Sequence, residues 1–140
     1  KHQIMTKTII PIRITVFGGF LAVFGIALGI LGYLQPDKVI PGFQAETNAQ
    51  SMAIWMTSAR NIAMGVVMIY ALVSKRPPLI GLAFLMRLVT ESFDMFGTAA
   101  SGVMDLSATA IYGVYVLLFV APEILAIRKM NLLQKRSIQE

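Results

Sequence analysis

The 140-residue chain contains no cysteine, one histidine and one tryptophan. Without cysteine, disulfide scaffolds, thiolate zinc sites, iron–sulfur clusters and cysteine nucleophiles are excluded. The single histidine is His2, so no constellation exists for a histidine-ligated metal, a haem or a Ser-His-Asp triad. Nothing in the sequence calls for a metal or a cofactor. Charge is scarce too: 14% of residues are charged and 56% are hydrophobic. An ordinary soluble domain has about 25% charged and about 45–50% apolar residues. With a mean hydropathy of +0.72, a single domain of this length could not hide its apolar surface from water. The expectation is an integral membrane protein.

Four long apolar runs carry that expectation, at about residues 14–34, 51–74, 79–101 and 106–127. Each is long enough, at about 1.5 Å per residue, to cover the roughly 30 Å hydrocarbon core of a bilayer. The predicted fold is all-α, a single domain over residues 1–140 with four transmembrane helices in an antiparallel bundle. Pro36, Pro41 and Gly42 break the chain after the first run, and Lys75-Arg76-Pro77-Pro78 make a tight turn between the second and third. A turn so short makes its two helices antiparallel neighbours. Gly18, Gly25, Gly29 and Gly32 lie near one face of the first helix, and Gly25 to Gly29 is a GxxxG match. Such a face admits a close neighbouring backbone. We expect that neighbour within the chain; a homo-oligomer through Gly25/Gly29 is the alternative.

The net charge of +5 reflects topology and not nucleic-acid binding. Lys1, Lys7, Arg13, Lys75, Arg76, Arg128, Lys129, Lys135 and Arg136 all fall on one side if the four spans alternate. Only Lys38 among the basic residues falls on the other, with Asp37, Glu46 and Asp105. That bias places both termini in the cytoplasm. Tyr33, Trp55 and Tyr70 sit near span ends, where interfacial aromatics are found. The residues after Asn131 read as a short helical extension or a frayed tail.

Three charges remain inside the third span. Arg87, Glu91 and Asp94 follow one another at helical spacing on one stripe, which Thr98 continues. A charge inside a span costs about 2.5–3.5 kcal/mol on insertion scales, so such groups are paired, buried in the bundle or functional. Counting rise per residue, Arg60 in the second span lies about 14 Å below the outer surface, Glu91 about 15 Å and Asp94 about 10 Å. Tyr112 and Tyr115 lie at about 9 and 14 Å in the fourth span. The expected site is a polar pocket lined by Arg60, Asn61, Thr57, Glu91, Asp94, Tyr112 and Tyr115, with Arg87 nearer the midplane. Met52, Met56, Met64 and Met68 continue the Arg60 face as an adaptable apolar wall. Met64 and Trp55 are added as substrate-binding candidates. Glu123 is read separately, as a structural partner of Arg13 or Arg76 near the cytoplasmic end of the fourth span.

With no metal, thiol or usable histidine, the chemistry open to this set is carboxylate general acid–base work. Glu91 and Asp94, less than one turn apart, can divide the roles of base and acid. Arg60 and Arg87 can hold a developing oxyanion, and Asn61 with a tyrosine can orient water or substrate. Epoxide hydrolases of the limonene-epoxide type use similar groups; the likeness is chemical and not one of descent. A pocket inside the bilayer draws its substrate from the lipid phase, so a lipophilic small molecule is expected as partner alongside membrane lipids. Epoxide opening, isomerisation and cyclisation by a cofactor-independent enzyme all fit. The alternatives are a small carrier or channel subunit, and an accessory subunit in which the charges only hold register.

The order of motifs also resembles a family. A glycine-rich first helix ends in Leu34-Gln35-Pro36, and Ala59-Arg60-Asn61-Ile62-Ala63-Met64-Gly65 lies in the second. The basic turn Ser74-Lys75-Arg76 precedes a third helix with Arg87 and Asp94. Together these resemble the DoxX-like group of small four-helix membrane proteins. The resemblance covers most of the chain and implies a four-helix bundle; Glu91 is not part of the family pattern.

Overall fold

A computed structural model describes residues 9–39, 47–100 and 114–139. Among these residues the chain is helical and contains no strand. It divides into two compact units, Pro11–Ser74 and a second that takes in the chain from Lys75 onward.

In the first unit, α1 (Ile12–Leu34) packs against α3 (Asn48–Ser74), and the short α2 (Pro36–Val39) follows α1. The start of α1 is set by Pro11, whose carbonyl accepts the Ile14 and Thr15 amides at 3.0 and 3.3 Å. Its end is closed by the Gln35 amide on the Leu31 carbonyl at 2.7 Å. Pro36, having no N–H, cannot extend that ladder. The start of α3 is a capping box. Gln50 N donates to Thr47 Oγ1 at 3.3 Å, and Thr47 N donates to Gln50 Oε1 at 3.0 Å. This reciprocal pair satisfies two donors that a helix start otherwise leaves open. It carries the helix three residues upstream of Ser51, where the apolar run begins.

The glycine face of α1 is the seam of this unit. Gly18, Gly25, Gly29 and Gly32 are all buried. A Cβ on Gly29 would come within 2.7 Å of the Ser58 carbonyl oxygen, and one on Gly65 within 2.7 Å of the Ala22 carbonyl oxygen. Close backbone approach of this kind is what small residues allow. Gly29 of α1 thus packs directly on the backbone of α3 in the same chain.

In the second unit, α4 (Pro77–Ala100) packs against α5 (Ala121–Gln139), which is preceded by a π-helical turn at Val116–Val120. The turn that leads into α4 places Lys75 in the left-handed region, φ 53. The Arg76 carbonyl then accepts the Leu79 and Ile80 amides at 3.0 and 3.1 Å. Pro77 and Pro78 are tolerated because first-turn amides have no intrahelical partner. Ile80, Ala83 and Phe84 of α4 and Ala126 and Met130 of α5 are buried. Gly81 sits against Met130 and Asn131, which gives the two helices their register. Helix α5 runs on to Gln139, so most of the stretch after Asn131 is helical.

Among the described residues, two helices, α1 and α3, are long and apolar enough to cross a membrane. At about 1.5 Å per residue, their 23 and 27 residues exceed a hydrocarbon core of about 30 Å. Large apolar side chains remain exposed along them, among them Val16, Phe20 and Val23 on α1 and Val66, Tyr70 and Val73 on α3.

Candidate functional site

The polar centre of the second unit is built from α4 and the helix that faces it. Arg87 and Glu91, one turn apart on α4, form an ion pair between Arg87 Nη2 and Glu91 Oε1. Arg87 Nε donates to Glu123 Oε1 at 3.0 Å across the helix pair. Glu123 is fully buried and Glu91 nearly so. Arg87 is largely covered, with 14% of its side chain exposed. Tyr115, just before the π-helical turn, lies near Glu91, and its ring stacks on Phe119 at 4.9 Å between centroids. One guanidinium thus bridges two carboxylates on different helices.

Local backbone chemistry puts Glu123 there. Pro122 lacks an N–H, and within a helix its ring clashes with the carbonyl four residues back. The π-helical turn at Val116–Val120 lies where that clash would fall. A widened turn relieves the crowding and resets the faces of the residues that follow. Glu123 is the first residue after the proline.

The carboxylates are only half used. Glu91 Oε2 and Glu123 Oε2 are buried without a hydrogen-bond partner. Buried polar atoms are normally satisfied, and an orphaned carboxylate oxygen calls for a specific explanation. Both are acceptors, on opposite helices, and both belong to carboxylates held by the same arginine.

Of the residues expected from sequence, Arg87, Glu91 and Tyr115 come together. Asp94 is exposed on α4, so the stripe is buried in its Arg87–Glu91 part and not along its whole length. Sharing a face does not guarantee burial, which needs a covering group at the same level; Tyr115 supplies one for Glu91. Arg60, Asn61, Thr57, Met64 and Trp55 all belong to α3 in the first unit. Arg60, Asn61 and Met64 are half-buried, and Thr57 is exposed. Trp55 is exposed and lies against Tyr33 at 6.0 Å between ring centroids. Of the methionine wall, Met68 is buried whereas Met52 and Met56 are exposed. Tyr112 and the side chain of Thr98 lie outside the described residues.

Glu123 is the correction. Sequence reading paired it with Arg13 or Arg76, whereas its partner is Arg87. The sequence reading ended the apolar run at Ile127, whereas the helix continues to Gln139 and packs Glu123 against α4. The available signal was Pro122, which marks a local irregularity beside a buried carboxylate.

The fold and this cluster define a class: a protein that is helical throughout its described residues, with two helices among them capable of crossing a membrane and a buried carboxylate–arginine network. A family model described as Domain of unknown function (DUF4267) matches residues 22–125. The chain belongs to that family, and the matched stretch contains Arg87, Glu91, Tyr115 and Glu123. No curated protein and no solved structure matches the chain.

Proposed function

We propose that this protein is a polytopic integral membrane protein of four transmembrane helices, with both termini cytoplasmic. In this reading the Arg87–Glu91–Glu123–Tyr115 cluster binds a lipophilic small molecule inside the bilayer and acts on it by carboxylate general acid–base chemistry. The DoxX-like resemblance supports the four-helix count, and the one-sided distribution of basic loop residues supports the orientation.

The observation that carries the reading is the pair of buried carboxylate oxygens left open on facing helices. A network that served only to join α4 to α5 needs one ion pair, and Arg87 with Glu123 already provides it. The second carboxylate, the tyrosine and the two open oxygens exceed that need. They fit a site where a carboxylate accepts a proton from a bound group while arginine holds the other carboxylate oxygens in place. Asp94, on α4 with Arg87 and Glu91, stays as a candidate for the remainder of the lining.

The test is co-purification. Wild-type protein, Glu91→Gln and Glu123→Gln are extracted in native lipid discs, and bound non-lipid molecules are compared by mass spectrometry. A small molecule present in the wild type and lost from both variants is the expected result. Identical bound material in all three, with melting temperature alone lowered, would return the cluster to a register-holding role.

A further inference from the structure

We propose that the end of the α4–α5 pair that carries Lys75, Arg76, Arg128, Lys129 and Lys135 binds anionic phospholipid head groups. The proposal rests on the reading of this chain as a membrane protein and is independent of whether the carboxylate–arginine cluster holds a ligand.

Helix register brings these cations together. Arg87 meets Glu123, and Gly81, six residues earlier on α4, lies against Met130, seven residues later on α5. One further step of the same size leads back to Lys75 and forward into the last turn of α5, which ends at Gln139. Lys75 and Arg76, at the turn into α4, are therefore level with the stretch that holds Lys135. All five cations are exposed and belong to one compact unit. No aspartate or glutamate offsets them in residues 75–90 or 124–139.

The face of α5 that carries the charge says which anion fits. Glu123, Ala126 and Met130 are its buried positions. At 3.6 residues per turn, Leu125, Arg128, Lys129, Leu132 and Lys135 share the opposite side. Leu125 and Leu132 are 64% and 56% exposed. Nucleic acid or free phosphate would leave these leucines in water. A lipid surface takes both kinds of group, apolar side chains at the acyl boundary and long basic side chains at the phosphates.

Depth agrees with this assignment. Lys75 is twelve residues from Arg87, and Lys135 is twelve from Glu123. Twelve residues rise about 18 Å, and half a hydrocarbon core is about 15 Å. With the carboxylate–arginine cluster near the midplane, both lysines reach the head-group layer. Arg128 and Lys129 start deeper and reach the same layer by snorkelling. Basic clusters of this size beside a membrane helix attract anionic lipid.

The experiment titrates full-length protein in a neutral detergent with phosphatidylglycerol or phosphatidylcholine of identical acyl chains. Bound lipid is counted by native mass spectrometry. Each cation near an anionic surface is worth about fivefold, so the wild type should prefer phosphatidylglycerol by about tenfold or more. The triple variant Arg128→Gln, Lys129→Gln, Lys135→Gln and the double variant Lys75→Gln, Arg76→Gln should each lose most of that preference. Lys38→Gln, exposed on α2 in the other unit, should keep it. Equal binding of the two lipids by the wild type, or a preference that survives both variants, would overturn the proposal. Displacement of the lipid by glycerol phosphate or a short DNA duplex at equal phosphate concentration would overturn it too, because the anion would then come from solution. Should a variant fail to fold, the wild type alone decides: salt should abolish the preference, and a salt-independent preference counts against the proposal. Detergent micelles have no sides, so a reversed topology would leave the preference intact. Release of the chain from membranes by alkaline carbonate would overturn the membrane reading and the proposal with it.

Discussion

Arg87 Nε and Glu123 Oε1 meet at 3.0 Å although the residues are 36 positions apart in the chain. This contact joins α4 to α5 in the buried part of their unit and fixes the guanidinium that also holds Glu91. The arrangement makes Arg87 the most sensitive position in the cluster.

Replacing Arg87 by leucine leaves two carboxylates without their shared cation. Breaking a buried pair from one side costs about 3–5 kcal/mol, because the remaining charge stays buried and unpaired. Arg87→Leu should therefore lose most of its folded fraction in a denaturant titration in detergent. The triple variant Arg87→Leu, Glu91→Gln, Glu123→Gln should recover much of that stability. If the single variant is as stable as the wild type, the cluster is not internal.

The glycine seam predicts opposite outcomes for two similar substitutions. Gly29→Ala and Gly65→Ala each drive a Cβ to within 2.7 Å of a backbone oxygen, and overpacking of this kind costs about 1–3 kcal/mol. A Cβ at Gly19 meets nothing within 4 Å, and alanine there should gain up to about 1 kcal/mol of helix propensity. Thermal melts of the three variants, run side by side, distinguish the sites.

Lys75 holds a left-handed conformation, φ 53, that costs a side-chain-bearing residue about 1–2 kcal/mol and glycine almost nothing. Lys75→Gly should raise the melting temperature modestly, offset in part by the greater freedom glycine has in the unfolded chain. Lys75→Ala should leave it near the wild-type value.

Thr47→Ala removes one half of the capping box at the start of α3. A lost cap of this type costs about 1 kcal/mol. Hydrogen exchange should show the first turn of α3 opening more readily, with the centre of the helix unchanged.

The proposed topology has a clean assay because the chain has no cysteine of its own. Single variants Lys75→Cys, Lys135→Cys and Asp37→Cys in sealed, right-side-out vesicles can be probed with a membrane-impermeant maleimide. Asp37→Cys should label from outside, and the other two only after the vesicles are opened. Labelling of Lys75→Cys from outside would overturn the orientation.

Much of the helical layout was legible in the chain. Low charge and long apolar runs announced membrane-length helices, and the prolines at 36, 77 and 78 marked helix ends because an imide cannot donate to the ladder. The capping box Thr47-Asn48-Ala49-Gln50 was legible too, but apolar counting started the helix at Ser51 because it followed hydropathy and not donors. The glycine face of α1 was read as a close-contact seam with a partner in the chain, and Ser58, Ile62 and Gly65 show what occupies it.

The candidate site divides along the same line. By itself the sequence determined that Arg87 and Glu91 share a helix face, because their spacing of four residues is a local geometric fact of 3.6 residues per turn. It could not bring Glu123 to them. That depended on the register of α5 against α4, on the turn before Pro122 and on the continuation of the helix to Gln139, each shifting positions by a fraction of a turn to several turns. Nor could it separate buried Glu91 from exposed Asp94, since burial is conferred by whatever lies opposite. Local periodicity is written in one segment of chain; the pairing of charges across two segments is decided only when their backbones pack.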